Sequence, residues 1–84
     1  MYLNQIITGN TTIEVTEARN GRTQVYEQTA KRWINAVYDD GQNWEEIDEE
    51  YPNFFELPVT EQLDICCERN NERYAARTTY KIVE

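Results

Sequence analysis

Between Asp39 and Glu56 the chain carries eight carboxylates and not one Lys or Arg: Asp39, Asp40, Glu45, Glu46, Asp48, Glu49, Glu50 and Glu56. Drawn as a single helix, those eighteen residues would span about 27 Å, or one charge per about 3.4 Å, the spacing along one strand of duplex DNA. Glu61, Asp64 and Glu68 follow at i, i+3 and i+7, on one face of a helix. The chemistry such a run offers is recognition of cations. Catalysis is harder to assemble. Histidine is absent, which removes the commonest general base and metal ligand. Cys66 and Cys67 are adjacent, so an ordinary disulfide is unfavourable, and two thiolates alone do not complete a zinc site. They read as small core residues in a reducing compartment. The window Asp39 to Glu50 has the length of a calcium loop and ends in Glu, but Gly41 falls at position three and Trp44 at position six, where Gly is required. A carboxylate pair such as Glu45 and Asp48 would need a deep sugar-binding cleft to act as acid and base. No enzymatic activity, metal or cofactor is expected.

The elements that must hold these carboxylates are few. Eighty-four residues make one domain, taken here as residues 1–84, with a small core. Hydrophobic residues are 39% and charged residues 29%, a folded composition, and the formal charge of -8 repels nucleic acid and anionic membrane while favouring a basic protein partner. The opening Met1–Thr8 has neither the basic start nor the apolar run of a secretory signal, so a cytoplasmic location is expected. Asn10-Thr11-Thr12 fits a glycosylation sequon but is read as part of a turn.

Tyr2 to Ile7, then Gly9-Asn10, then the alternation Ile13 to Glu17 predict a first hairpin over residues 2 to 18. Asn20-Gly21 is a strong type I′ signal, with Thr23 to Tyr26 returning as a third strand. Ala30, Trp33, Ile34, Val37 and Tyr38 then follow the helical period, capped by Thr29 and ended near Asp40-Gly41. Asn43 with Glu46 has the form of a capping box for a second helix running to Pro52. Asn53 to Glu56 predicts one further turn that returns Phe54 and Phe55 to the core. Val59, Leu63, Cys66 and Cys67 share one face of a third helix, with Asn70-Asn71 as its break, and residues 73 to 83 alternate as a last strand. The fold class is therefore α+β: an antiparallel β-sheet, made of an N-terminal three-stranded meander plus a C-terminal strand, with about three short helices packed on one face.

Aromatic residues have two readings. Trp33, Tyr38, Phe54 and Phe55 fit the core, whereas Trp44 and Tyr51, set among acids, fit either the core or an interface. The acidic run itself has two readings as well. Such runs on short helices are commonly solvated faces that keep a small domain soluble. Yet no base separates these carboxylates in sequence, and their mutual repulsion acts within about 8 Å at physiological salt, a cost more readily borne where a cation binds. Arg69, Arg73, Arg77 and Lys81 collect half the bases at the C-terminal end, where intramolecular salt bridges are the simplest expectation.

A short, strongly acidic α+β chain with the cluster Asp39-Asp40 and Glu45-Glu46-Ile47-Asp48-Glu49-Glu50 resembles phage-encoded anti-CRISPR and other counter-defence proteins. The resemblance covers overall character rather than a motif, and no residue role is carried over from it. It implies an inhibitor in the host bacterial cytoplasm whose acidic surface mimics DNA and occupies the DNA-binding site of a CRISPR effector, Cas9 or a multisubunit surveillance complex. The expected partner-binding residues are Asp39, Asp40, Trp44, Glu45, Glu46, Asp48, Glu49, Glu50, Tyr51, Glu56, Glu61, Asp64 and Glu68. The alternative is a phage or mobile-element interaction or regulatory protein that binds a protein partner without DNA mimicry, through an edge strand or the Trp44 and Tyr51 surface. Monomer and homodimer are both compatible with the sequence.

Overall fold

A computed structural model describes residues 7–83 of the chain. Asn20 and Gly21 both take positive φ, 54° and 75°, the requirement of a type I′ turn whose twist matches that of the flanking strands. They join β1 (Thr12–Arg19) to β2 (Arg22–Thr29) in unbroken antiparallel register from Arg19↔Arg22 to Thr12↔Thr29. The C-terminal strand β3 (Arg77–Ile82) pairs with the other edge of β1, giving the order β2-β1-β3. The fold is α+β as its pattern of elements predicts. Both edges of β1 are taken, by β2 and β3, and of the expected first strand, residues 2 to 8, only Ile7 and Thr8 are described, outside any strand. Residues 1–6 of that segment lie outside the described residues.

Alternation along β1 sets the two faces of the sheet. Ile13 and Val15 are fully buried beneath the helices, while Val25 on β2 lies on the opposite, open face at 58% exposure. Helix α1 (Ala30–Tyr38) starts at Thr29, whose side chain accepts the Arg32 N–H, and buries Ala30, Trp33, Ile34 and Val37 on one stripe. It closes at Gly41, which has φ 62° and lies so close to the Arg73 guanidinium that a Cβ there would collide with it. Ile34, Val37, Ile47, Phe54, Leu63 and Cys66 meet over the sheet, each large apolar side chain contributing about 1.5–3 kcal/mol on burial.

Three sequence expectations change here. Asn43 does not cap α2 (Asn43–Glu50). It is the first helical residue, 1% exposed, and its Nδ2 donates to the Val37 carbonyl at 3.0 Å, so it closes the end of α1 instead. The single 3₁₀ turn Phe54–Glu56 returns one ring to the core rather than two: Phe54 is 1% exposed and Phe55 52%. Three residues per turn sets neighbouring side chains about 120° apart, so only one can face inward. Helix α3 (Val59–Tyr74) runs through Asn70-Asn71 and ends at Ala75, φ 52°, with β3 starting at Arg77 rather than at residue 73. Asn70 does not break the helix because its amide is buried and donates to Thr78 Oγ1 at 2.7 Å, linking α3 to β3. Among the described residues no helix is long and apolar enough to cross a membrane.

Candidate functional site

Helix α2 distributes its side chains over four stripes, because residues four apart share a face. Asn43 and Ile47 point into the core. Trp44 and Asp48 share another, exposed stripe, on which both Asp48 oxygens accept from the Tyr38 hydroxyl of α1 at 3.0 Å. Glu45 and Glu49 share a stripe and are exposed. Glu46 and Glu50 face α3, and with Ile47, Tyr51, Ile65, Glu68, Arg69 and Glu72 they line a narrow channel between the two helices. Tyr51, Ile65 and Glu68 also line the next depression, a groove of about 310 Å³ completed by Leu57, Glu61 and Asp64. The two depressions adjoin along Tyr51, Ile65 and Glu68 and form the α2–α3 groove, which combines the apolar Tyr51, Leu57 and Ile65 with carboxylates from both helices.

Six of the residues singled out from sequence therefore converge: Glu46, Glu50, Tyr51, Glu61, Asp64 and Glu68. Glu45 and Glu49 belong to the neighbouring exposed stripe of α2. The others lie apart. Asp39 is the C-cap of α1, and Glu56 sits in the 3₁₀ turn. Asp40 accepts from the Tyr74 hydroxyl, and its Oδ2 is 3.7 Å from Arg73 Nε. Trp44 is 44% exposed, so the core reading of this ring fails: its position on the outer flank of a two-turn helix leaves no partner element to cover it. Tyr51 is half-buried and packs on the core edge. Ile65, Leu57, Arg69 and Glu72 were not foreseen. Glu72 continues the Glu61, Asp64, Glu68 stripe by one turn, a signal hidden by reading Asn70-Asn71 as a helix end.

The groove is not uniformly charged. At its Arg69 end the guanidinium pairs with Glu46 at 2.9 Å and Glu72 at 2.8 Å. Toward Leu57, Glu50, Glu61 and Glu68 have no Lys or Arg within ion-pair distance among the described residues. The phenols report this field. Tyr51 is raised above the ordinary value chiefly by the Glu50 charge, then by burial and by Glu68. Tyr80, which donates to Asp64 Oδ1 at 3.2 Å, is pushed up to about 12 by burial and then by Asp64. The Tyr51 shift reflects the neighbouring carboxylates, since a nearby anion disfavours phenolate, whereas that of Tyr80 is mainly burial.

Other sites are less selective. The concave surface beneath the hairpin, about 330 Å³, mixes Glu17, Arg19 and Asp40 with Gln24, Tyr26 and Tyr74, so neither sign of charge dominates. Burial raises both the Cys66 and the Cys67 thiol to about 12, with Asp64 adding to the second. They are protonated at neutral pH, and Cys66 Sγ instead lies 3.9 Å from the Ile34 carbonyl. Among the described residues no three His, Cys, Asp or Glu side chains converge to hold a metal ion. No family model, curated protein or solved structure matches this chain.

Proposed function

We propose that the chain is a non-catalytic binding protein whose α2–α3 groove docks on a Lys/Arg-rich, nucleic-acid-binding surface of another protein, in the manner of an anti-CRISPR inhibitor acting in the bacterial cytoplasm. The observation that carries this reading is that Glu50, Glu61, Asp64 and Glu68 line adjoining depressions with the apolar Tyr51, Leu57 and Ile65 and have no Lys or Arg within ion-pair distance among the described residues. An acidic rim steers a basic partner and sets register, while Tyr51, Leu57 and Ile65 supply area that gains when water is excluded. A target site so occupied is closed to DNA by sterics and by charge. The resemblance to DNA is one of sign and approximate density rather than of spacing. Steps of three and four residues along α3 place its carboxylates about 4.5 to 6 Å apart, wider than the roughly 3.4 Å of a DNA strand.

The test is co-elution of the purified protein with guide-loaded Cas9 and with the multisubunit surveillance complex, each with and without preloaded target DNA, over a salt series. Complex formation that is lost on DNA preloading and weakens at high salt is the expected result. Binding that survives both moves the contact away from the DNA site, and absence of binding to every effector removes the CRISPR assignment. A second reading, protein binding without DNA mimicry, is favoured by the exposed Trp44 and Phe55 rings, 44% and 52%. It expects an affinity almost independent of salt and lost in Trp44→Ala.

A further inference from the structure

The two outer strands of the sheet differ in how they meet solvent. β3 has six residues and directs Arg77 and Lys81 outward. Cations along an edge discourage the addition of another strand. β2 has eight residues in unbroken register with β1, with no Pro, no Lys and no bulge, and Arg22 through Val25 are all exposed. At 58%, Val25 is more exposed than Trp44 or Phe55. Unprotected edges of this length template pairing.

Backbone phase shows which groups are available. A two-residue turn makes Arg19↔Arg22 a hydrogen-bonded pair, and alternation then turns residues 24, 26 and 28 toward β1. The Ala30 N–H to Thr11 carbonyl bond, 2.8 Å, continues the same phase. The peptide groups of Thr23, Val25 and Glu27 therefore point away from β1, and among the described residues no strand lies beyond β2.

We propose that this edge pairs with β2 of a second copy, antiparallel about a two-fold axis through Val25, joining two sheets edge to edge. Val25 of one copy then faces Val25 of the other, and Thr23 faces Glu27. Thr29 shares this phase, but as N-cap its carbonyl already accepts within α1, so the outward groups with both N–H and C=O free are centred on Val25, and this register satisfies all three from each chain, about six hydrogen bonds. Shifting by two residues sets Glu27 opposite Val25 of the other copy and brings the two Glu27 carboxylates onto a diagonal, a like-charge contact. β2 itself is neutral, its Arg22 offsetting Glu27, so the pairing surface is the part of this acidic chain least opposed to self-association. A two-fold interface is closed, because each chain uses its β2 edge once. The inference is independent of the acidic groove.

The experiment is light scattering after size exclusion over a concentration series, joined to amide hydrogen exchange by NMR on the same full-length chain and on Val25→Lys. The expected mass is twice the 10.0 kDa of the chain. Thr23, Val25 and Glu27 amides should exchange slowly in proportion to the dimer fraction. Val25→Lys should return the chain to monomer, with circular dichroism unchanged and those three amides unprotected. A monomer at every concentration overturns the proposal. So does a dimer that persists in Val25→Lys, and so does protection at the three amides that is independent of concentration, which would mean that the same chain covers its own edge.

Discussion

The two ends of α3 hold their acidic neighbours in opposite ways. Toward its C-terminus three carboxylates are met by a base: Glu46 and Glu72 by Arg69, and Asp40 by Arg73 with the Tyr74 hydroxyl. From its start to its middle, Glu61 and Glu68, with Glu50 on α2, have no Lys or Arg within ion-pair distance among the described residues, Arg69 being taken by Glu46 and Glu72. The first set serves the fold, tying the α1–α2 corner to α3. The second set has no base to offset its mutual repulsion, and on the proposed function it is the set that meets a partner. Acidic residues close in sequence therefore divide into two functional populations, and what separates them is the reach of Arg69 and Arg73.

Perturbing each population should give effects of opposite sign. The largest expected change is in binding: the triple variant Glu50→Lys, Glu61→Lys, Glu68→Lys should weaken capture by a basic partner about 100-fold or more, while keeping the helical circular dichroism of the wild type. Affinity measured by titration checks this. In the paired region the largest effect is on stability. Asn43→Ala removes the buried amide that donates to the Val37 carbonyl and leaves that carbonyl only the Asp40 N–H, at a cost of about 0.5–1.5 kcal/mol in urea denaturation. Next in size is a contrast of two neutralised acids. Asp40→Asn should destabilise by about 0.5–1 kcal/mol because it loses its charged partner, whereas Glu68→Gln should stabilise by about 0.3 kcal/mol because it relieves repulsion. Equal effects in both would erase the distinction between the two ends.

The smallest effects are in proton binding. Tyr80 has its folded pKa raised from 10.0 to about 12, so its neutral phenol is favoured by the fold. Its stabilising contribution is complete below pH 10 and is lost as pH rises toward 12. Phenolate absorbance followed against pH, beside denaturation at the same pH values, reads both. For Tyr51 the leading cause is the Glu50 charge, so Glu50→Gln should bring its midpoint down toward the ordinary value. An unchanged midpoint would show that the Glu50 carboxylate does not face the groove.

Most of the fold was legible where a local signal had one physical meaning. Asn20-Gly21 needs positive φ at both positions and closed the hairpin as expected. Ala30, Trp33, Ile34 and Val37 repeat at helical spacing and are all buried. What failed were local signals overridden by tertiary contacts. Asn70 looks like a helix stop until its amide finds Thr78 on β3. The actual stop, Ala75 in the left-handed region, carries none of the Gly or Asn that usually marks such a cap. Asn43 and Glu46 spell a capping box, but Asn43 is drawn to the Val37 carbonyl and Glu46 to Arg69. For the site, spacing alone placed Glu61, Asp64 and Glu68 on one stripe. It did not reveal that Glu46 and Glu50 face them, since that depends on how α2 folds back onto α3 through Pro52 and the 3₁₀ turn. Nor did it show which carboxylates were already engaged, because Arg69 and Arg73 act across 23 and 33 residues of chain, on Glu46 and Asp40 respectively.

The division between engaged and available carboxylates is open to one direct measurement, a titration of the isotopically labelled chain with an oligoarginine peptide, followed by amide shifts at low and high salt. The account predicts perturbations concentrated at Glu50, Tyr51, Glu61, Asp64, Ile65 and Glu68, weakening as salt rises, with little change at Asp40, Glu72 and Arg73. Shifts spread evenly over every acidic residue, or centred on the Asp40 end, would contradict it.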